Sequence, residues 1–398
     1  MLHSRYNSKI NSGENFIADL QRNHLHNPSD SVSFIYLDNL PSSSNFYKRY
    51  FIITLNVLFS LEAIVKVATA HRKNSFDVFL IHNLFPNFGL FFFIYLKLLR
   101  VPYVLVLHNF RYRCISGAHE LSGKPCFKCS NTKIGLDGFF NKCFKRSFWA
   151  SFFMILFRIL TRVYIKNAGT TICLSNYAKT ELKVTPGFFR NVNVKVVPNF
   201  YPSLAGKRFG GYDFKTVFFA GRLESSKGIE KLLECWVRSE LPLNGWKLIL
   251  CGTGELASMV EAKANKTSSI EYLGLISHDE VMERLKKTSF SVVPSVGTEN
   301  CPTTIIESFS QSVPVIGPNA GSINEMITSK SGIKFDKDLN NLDHVFNQIL
   351  KMTSADYLRF EAYETWLANY SPHTVIPQLF DVIHDSMGHT FNNNKNKN

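Results

Sequence analysis

Two glutamates, Glu299 and Glu307, stand eight positions apart in Glu299-Asn300-Cys301-Pro302-Thr303-Thr304-Ile305-Ile306-Glu307. The first falls on a loop after an apolar run, and the second falls inside the next helix-like segment. Pro302 suits the first turn of that helix. Asn300, Cys301, Pro302 and Thr303 would then surround a helix N-terminus, whose free N–H groups and positive potential suit a diphosphate. Glu307 could accept hydrogen bonds from a ribose, and Glu299 could contact a sugar. Taken alone, the pair also fits a helix with a solvated acidic face.

Cations on neighbouring loops sharpen the reading. Phe219-Ala220-Gly221-Arg222-Leu223 is followed closely by Lys227-Gly228. Arg222 can grip phosphate in a bidentate manner, and Lys227 can act as a point charge. Leu250-Cys251-Gly252-Thr253-Gly254-Glu255 repeats the order of strand, glycine turn and helix. Gly252 and Gly254 alone say little. Three such loops at the carboxyl ends of strands say more, because open α/β sheets bind ligands there.

The elements that would position these residues alternate cleanly in the C-terminal half. Short apolar runs are expected as strands at 216–220, 246–251, 270–273, 290–293, 313–316 and 332–335. Helices are expected between them at 229–238, 255–264, 279–287, 303–312 and 322–327. That alternation predicts a parallel sheet covered on both faces. The N-terminal half follows the same grammar less cleanly, with strands at 33–37, 78–82, 103–108, 170–174 and 195–197. Only Met1-Leu2-His3 precede a polar turn over 4–14, so most of a first strand is expected to be missing. The expected domains are 1–198, joined by a crossover helix over about 373–388, and 199–372, with a linker around Gly206, Gly210 and Gly211 and a disordered tail over 389–398.

The whole set, in this order and with Tyr272-Leu273-Gly274, resembles the retaining glycosyltransferases of family 4 over nearly the full chain. The resemblance implies a GT-B fold, an α/β architecture of two facing Rossmann-like doubly wound domains with a cleft between them. It implies that Arg222 and Lys227 hold the diphosphate of a UDP- or GDP-sugar, that Glu307 binds the ribose and Glu299 the transferred sugar, and that backbone near Leu273 faces the base. It also implies retention of anomeric configuration without a catalytic metal. Leu107-His108-Asn109 matches the family's strand end whose histidine lies near the transferred sugar. Ser12-Gly13-Glu14 resembles a glycine loop that approaches the phosphates and acceptor, with Ser12 in place of the first glycine. The acceptor implied is a glycan or a lipid-linked glycan of a surface polysaccharide, such as O-antigen, capsule or exopolysaccharide. A non-catalytic nucleotide-sugar-binding protein and a nucleotide-sugar epimerase of the same fold are the rivals. The Glu-x7-Glu spacing is not expected in an epimerase.

Charge is uneven. Residues 1–199 carry 25 Lys and Arg against 9 Asp and Glu, a balance of +16, and the remainder carries 20 against 22. A basic, apolar-rich half suggests an anionic membrane surface rather than nucleic acid. Phe148, Trp149, Phe152, Phe153, Leu156 and Phe157, beside Lys142, Lys145, Arg146, Arg158 and Arg162, fit either core or an interfacial helix. The apolar stretches 88–107 and 147–165 are interrupted by Lys97, Arg100 and Pro102 and by Arg158 and Arg162, so neither is expected to span a bilayer. With no apolar leader over the first thirty residues, the expectation is a cytoplasmic protein, peripheral on the inner face of the plasma membrane. Cys126-Phe127-Lys128-Cys129, flanked by Cys114 and Cys143, has the spacing of a structural zinc site, or else supplies four reduced thiols.

Overall fold

The computed structural model describes residues 1–5, 13–25, 30–38, 58–132, 134–186, 191–203, 214–352 and 355–395. The chain divides into two compact units. The first comprises Met1–Gly117, Phe127–Pro198 and Val375–Asn398, and the second comprises Ala118–Cys126 and Asn199–Thr374. The expected linker glycines Gly206, Gly210 and Gly211 lie outside the described residues.

The first unit is built on a six-stranded parallel sheet. Its strands are β1 (Leu2–Arg5), β2 (Ile35–Asp38), β3 (Phe79–His82), β4 (Tyr103–Leu107), β7 (Thr170–Cys173) and β8 (Val194–Val196), in the order β2-β1-β3-β4-β7-β8. Two short strands, β5 (Glu120–Leu121) and β6 (Lys124–Pro125), form a hairpin grouped with the second unit. The first strand is therefore present, contrary to expectation. The polar residues His3, Ser4 and Arg5 pair as strand with β2, and Leu2 and His3 pair with β3 on the other side. Partners on both edges satisfy the backbone where side-chain pattern gives no strand signal.

Near-continuous apolar runs are buried on both faces, as a covered parallel sheet demands. Phe79, Ile81, Tyr103, Leu105 and Leu107 join one core with the helices Leu61–Asn74, Leu90–Leu99 and Phe148–Asn167. Leu80, Val104 and Val106 alternate with them and are also buried. The helix Phe148–Asn167 begins at Ser147, whose hydroxyl accepts from the Ala150 amide. Its inner side carries Arg158 and Arg162, both fully enclosed rather than facing outward. Tyr112 O accepts from the Nε of each, and Cys129 O and Thr132 O accept from Arg158 Nη2. Helical spacing could not reveal this, because the receiving carbonyls lie 26 to 50 residues earlier in the chain.

The second unit repeats the plan with strands β9 (Thr216–Ala220), β10 (Lys247–Cys251), β11 (Ile270–Tyr272), β12 (Phe290–Val292), β13 (Val315–Pro318) and β14 (Gly332–Phe335). Their order is β11-β10-β9-β12-β13-β14, all parallel. This is the dinucleotide-fold order, whose direction of winding reverses between β9 and β12. Trp236, Leu232 and Leu233 from the helix Ile229–Arg238 seal the core against Val217, Phe219 and Leu250.

The expected crossover helix spans Pro372–Lys395 and joins the first unit, where Ser386 Oγ donates to Thr170 Oγ1 at 2.8 Å. Residues 389–395, expected as tail, continue that helix, since propagation from a docked turn adds one hydrogen bond per residue. Residues 396–398 lie outside the described residues.

Gly228 closes the short 3-10 turn Ser225–Lys227 at φ 68°, and a Cβ there would sit 2.0 Å from Pro294 O. Gly245 has φ 79° with nothing within 4 Å. Gly245→Ala should therefore cost only the left-handed backbone penalty, about 1–2 kcal/mol. Gly228→Ala should cost clearly more, because Pro294 O must also move. Thermal and urea melts of the two variants measure the difference.

Candidate functional site

In the second unit, the loops leaving β9, β10 and β12 are pressed together at the reversal of strand order. Gly221 N donates to Cys251 O, and Leu223 N donates to Thr253 O. A Cβ on Gly252 would fall 1.8 Å from Gly221 O, and one on Gly254 would fall 2.3 Å from Leu223 O. The two glycines thus let one loop lie directly on another. Val296 N and Gly297 N both donate to Ser226 O, which ties the β12 loop to the turn carrying Lys227.

That packing brings together residues far apart in sequence. Lys227 Nζ donates to Glu299 Oε1 at 2.5 Å, and Ser295 Oγ donates to the same oxygen at 2.8 Å. Ser322 Oγ holds the Glu299 carbonyl. Burial pushes the Glu299 carboxyl up, but the charge and hydrogen bond of Lys227, the Ser295 hydroxyl and the charge of Arg222 outweigh it, leaving a net pKa below the ordinary value. Arg222 is exposed and pairs with Glu224 Oε1 at 2.7 Å. A loop cation held only by an exposed partner can change partners at little cost.

Glu307 is buried in the helix Thr303–Ser310, and Pro302 occupies its N-cap rather than its first turn. His278 Nε2 lies 3.6 Å from Glu307 Oε1. Contact with Glu307 outweighs burial and raises the His278 pKa. Sequence reasoning missed His278. Its one local signal is the capping box Ser277-x-x-Glu280, which marks only the start of a helix. Asn300 and Cys301 are buried, Asn199 Nδ2 donates to Cys301 O, and burial pushes the Cys301 thiol up to about 12. Leu273 N is committed to Leu250 O, so the N–H of Leu273 is not open to a base.

In the first unit, β3 ends in His82, and His108 directly follows the end of β4. His82 Nδ1 and His108 Nε2 are 2.8 Å apart, with the rings stacked at 5.0 Å. His3 sits edge-on to His82 at 6.2 Å and shares a hydrogen bond with Asn15 Oδ1. Asn109 Nδ2 donates to Glu14 Oε1. Burial lowers the His108 pKa to about 4, partly opposed by the charge of Glu14, and holds His82 well below its ordinary value. His108 is therefore a neutral hydrogen-bonding group, not a cation, at neutral pH. A Cβ on Gly13 would meet nothing within 4 Å, so its protein surroundings do not require glycine. Ser12 lies outside the described residues.

Among the described residues no three His, Cys, Asp or Glu side chains converge as a metal would need. Cys126 goes with the Ala118–Cys126 hairpin, which groups with the second unit. Cys129 Sγ turns to Gly135 O and Cys114 Sγ to Ser116 Oγ. The segment around these cysteines is held by Arg158 and Arg162 through the carbonyls of Tyr112, Cys129 and Thr132.

The histidine pair yields a signed pH effect. Unfolded imidazoles take up protons below about 6.5, whereas folded His108 stays neutral until about 4. The unfolded state binds more protons in that window, so the pair's contribution to stability falls as pH falls from 6.5 to 4. His278, with its raised pKa, acts in the opposite sense and in a separate window, above about 6.5. Urea melts across that window should show a shallower acid-side loss in His108→Asn than in the unaltered protein.

The chain is similar to known proteins in sequence and in fold. Residues 214–353 match the family model for glycosyl transferases group 1. The uncharacterized glycosyltransferase MJ1178 of Methanocaldococcus jannaschii is 30% identical over 201 residues, which are 48% of this chain and 52% of that protein. The match thus spans about half of that relative. Sucrose-phosphate synthase from Thermosynechococcus elongatus superposes with a TM-score of 0.68 at 14% identity, covering 98% of this chain and 99% of that one. Anabaena HepE in complex with UDP and glucose gives 0.65 at 15% identity, covering 96% and 98%. The chain carries the GT-B fold of these structures, and its second unit carries the match to glycosyl transferases group 1.

Proposed function

We propose that the protein is a retaining, metal-independent glycosyltransferase that moves a hexosyl group from a UDP- or GDP-sugar to a glycan or lipid-linked acceptor. The observation that carries this reading is the Lys227–Glu299 pair, beside the exposed Arg222, where the strand order of the second sheet reverses. The UDP and glucose bound by HepE, which shares the fold, support a nucleotide-sugar donor. In the free protein Lys227 serves Glu299. An arriving diphosphate offers Lys227 and Arg222 a stronger anionic partner, with charge-assisted hydrogen bonds to both. Glu299, released from Lys227, then accepts from hydroxyls of the transferred sugar, while Glu307 accepts from the ribose. Two cations and the N-terminus of the helix Thr303–Ser310 supply the positive potential for the leaving diphosphate, so no metal is required. His108 acts as a neutral hydrogen-bond partner of the sugar, and the backbone at Gly13 belongs to the acceptor side. The basic, apolar-rich first unit supports work at the cytoplasmic face of a membrane, on a surface-polysaccharide acceptor.

Titration calorimetry with UDP, UDP-sugars and GDP-sugars, and product formation from a labelled donor, test the reading. Lys227→Ala and Arg222→Ala should each weaken diphosphate-containing ligands by about 1.5–3 kcal/mol, as loss of a charged hydrogen bond costs. The affinity for the free nucleoside should barely change, and equal weakening of both ligands would make the cations structural. Glu307→Ala should weaken donor binding, whereas Glu299→Gln should lower turnover more than affinity. Donor affinity unchanged in Glu307→Ala would remove the ribose assignment.

A further inference from the structure

The three helices Leu61–Asn74, Leu90–Leu99 and Phe148–Asn167 share one core against one face of the first sheet. The outward sides of the second and third are largely apolar, and that of the first mixes apolar with polar and charged residues. Leu61 and Val65 are exposed on the first helix, with Leu58 and Phe59 just before it. Leu90, Phe91, Ile94 and Leu98 are exposed on the second, and Phe148, Trp149, Phe152, Leu156 and Ile159 on the third. Exposed Phe59 and Phe91 join the first two helices at the surface, and buried Phe93, Tyr164 and Gly89 join the second and third beneath it. Phe59 and Phe91 lie 5.1 Å apart, Phe93 meets Tyr164 at 5.1 Å, and the Tyr164 hydroxyl donates to Gly89 O. Trp149 is 69% and Leu98 75% exposed, and Phe140, beside Phe139, which in turn meets Phe148, is 68% exposed. So many large apolar side chains on one side of a single unit exceed what water contact alone allows and mark an interaction surface.

The charges on this face name the partner. Lys97, Arg100, Lys142, Lys145 and Arg146 are exposed on or beside these helices. Glu62, paired with Lys66, is the one acidic residue within the three helices. We infer that this outer layer is a docking surface for an anionic phospholipid bilayer. Its aromatic and aliphatic side chains enter the boundary between headgroups and acyl chains, and its cations meet the lipid phosphates. The inference names the surface through which the membrane partner proposed above is met.

The helix Phe148–Asn167 is long and apolar enough to cross a bilayer by length and composition, but 61% of its apolar window is buried inside the protein. Extracting it would strip Arg158 and Arg162 from the carbonyls that hold them and carry two cations into hydrocarbon. The geometry therefore has it lie on the membrane rather than span it.

Flotation of the full chain on vesicles tests the surface. Vesicles of phosphatidylcholine with phosphatidylglycerol should recover the protein, pure phosphatidylcholine should recover much less, and high salt should reduce recovery on the anionic vesicles. The other three tryptophans, Trp236, Trp246 and Trp366, are buried. A blue shift of emission on adding anionic vesicles therefore reports Trp149. The triple variant Leu98→Ser, Trp149→Ser, Phe152→Ser should lose at least tenfold in vesicle partitioning while keeping its melting temperature. All three side chains are exposed, so the fold does not depend on them. Undiminished binding by that variant, or equal recovery on both lipids, overturns the inference. So does a stable dimer of the unaltered chain in sedimentation that the triple variant abolishes, since a second copy would then cover the face. UDP binding by calorimetry is measured on the same samples, so failure of the donor reading is seen separately.

Discussion

Every strand of both six-stranded sheets runs parallel to its neighbours, and the rest of the molecule depends on that constraint. Parallel neighbours cannot be joined by tight turns, so each connection crosses over a face and every carboxyl end emerges on the same edge. Reversal of the winding leaves an opening between β9 and β12 in one sheet and between β1 and β3 in the other. Lys227 and Glu299, 72 residues apart, meet at the first opening. His3 and His82 pair in register at the second. Glycines at 228, 252 and 254 allow the loops to touch carbonyl to backbone, which no side-chain-bearing residue permits at those distances.

Enclosed polar groups then dictate local order. A buried carboxylate is costly unless neighbouring donors compensate it. Half-buried Glu299 therefore takes Lys227 and Ser295, and buried Glu307 stands 3.6 Å from His278. The same rule explains the segment between β4 and the helix Phe148–Asn167. Two enclosed guanidiniums require acceptors, and the carbonyls of Tyr112, Cys129 and Thr132 supply them. Those bonds fix the irregular backbone around the cysteines.

Covering a parallel sheet on both faces gives each helix an inner and an outer side. Burial decides the inner side, and the surroundings decide the outer side. In the second unit the exposed side of the helix Ile229–Arg238 carries Glu230, Glu234 and Arg238, the ordinary amphipathic solution. On one face of the first unit the outer sides carry phenylalanine, tryptophan and leucine beside lysine and arginine. The charge balance of +16 in residues 1–199 is thus joined to an apolar surface in the same unit.

By itself, the sequence determined the local plan. Apolar runs alternating with helical periodicity are set by burial along a few residues of chain, so the strands at 216–220 and 332–335 and the helices 229–238 and 303–310 were legible within two residues. The types and spacing of Arg222, Lys227, Glu299 and Glu307 were legible for the same reason, since the first three lie on loops after strands and Glu307 lies inside the helix that follows. What only the tertiary structure decided is which groups become partners. The order of strands depends on crossovers whose ends are tens of residues apart, and no local pattern encodes it. His82 with His108, His278 with Glu307, a polar β1 held between two neighbours, and arginines turned inward on an aromatic helix all follow from that order. In each case the free energy of an enclosed polar group is settled by atoms from another part of the chain.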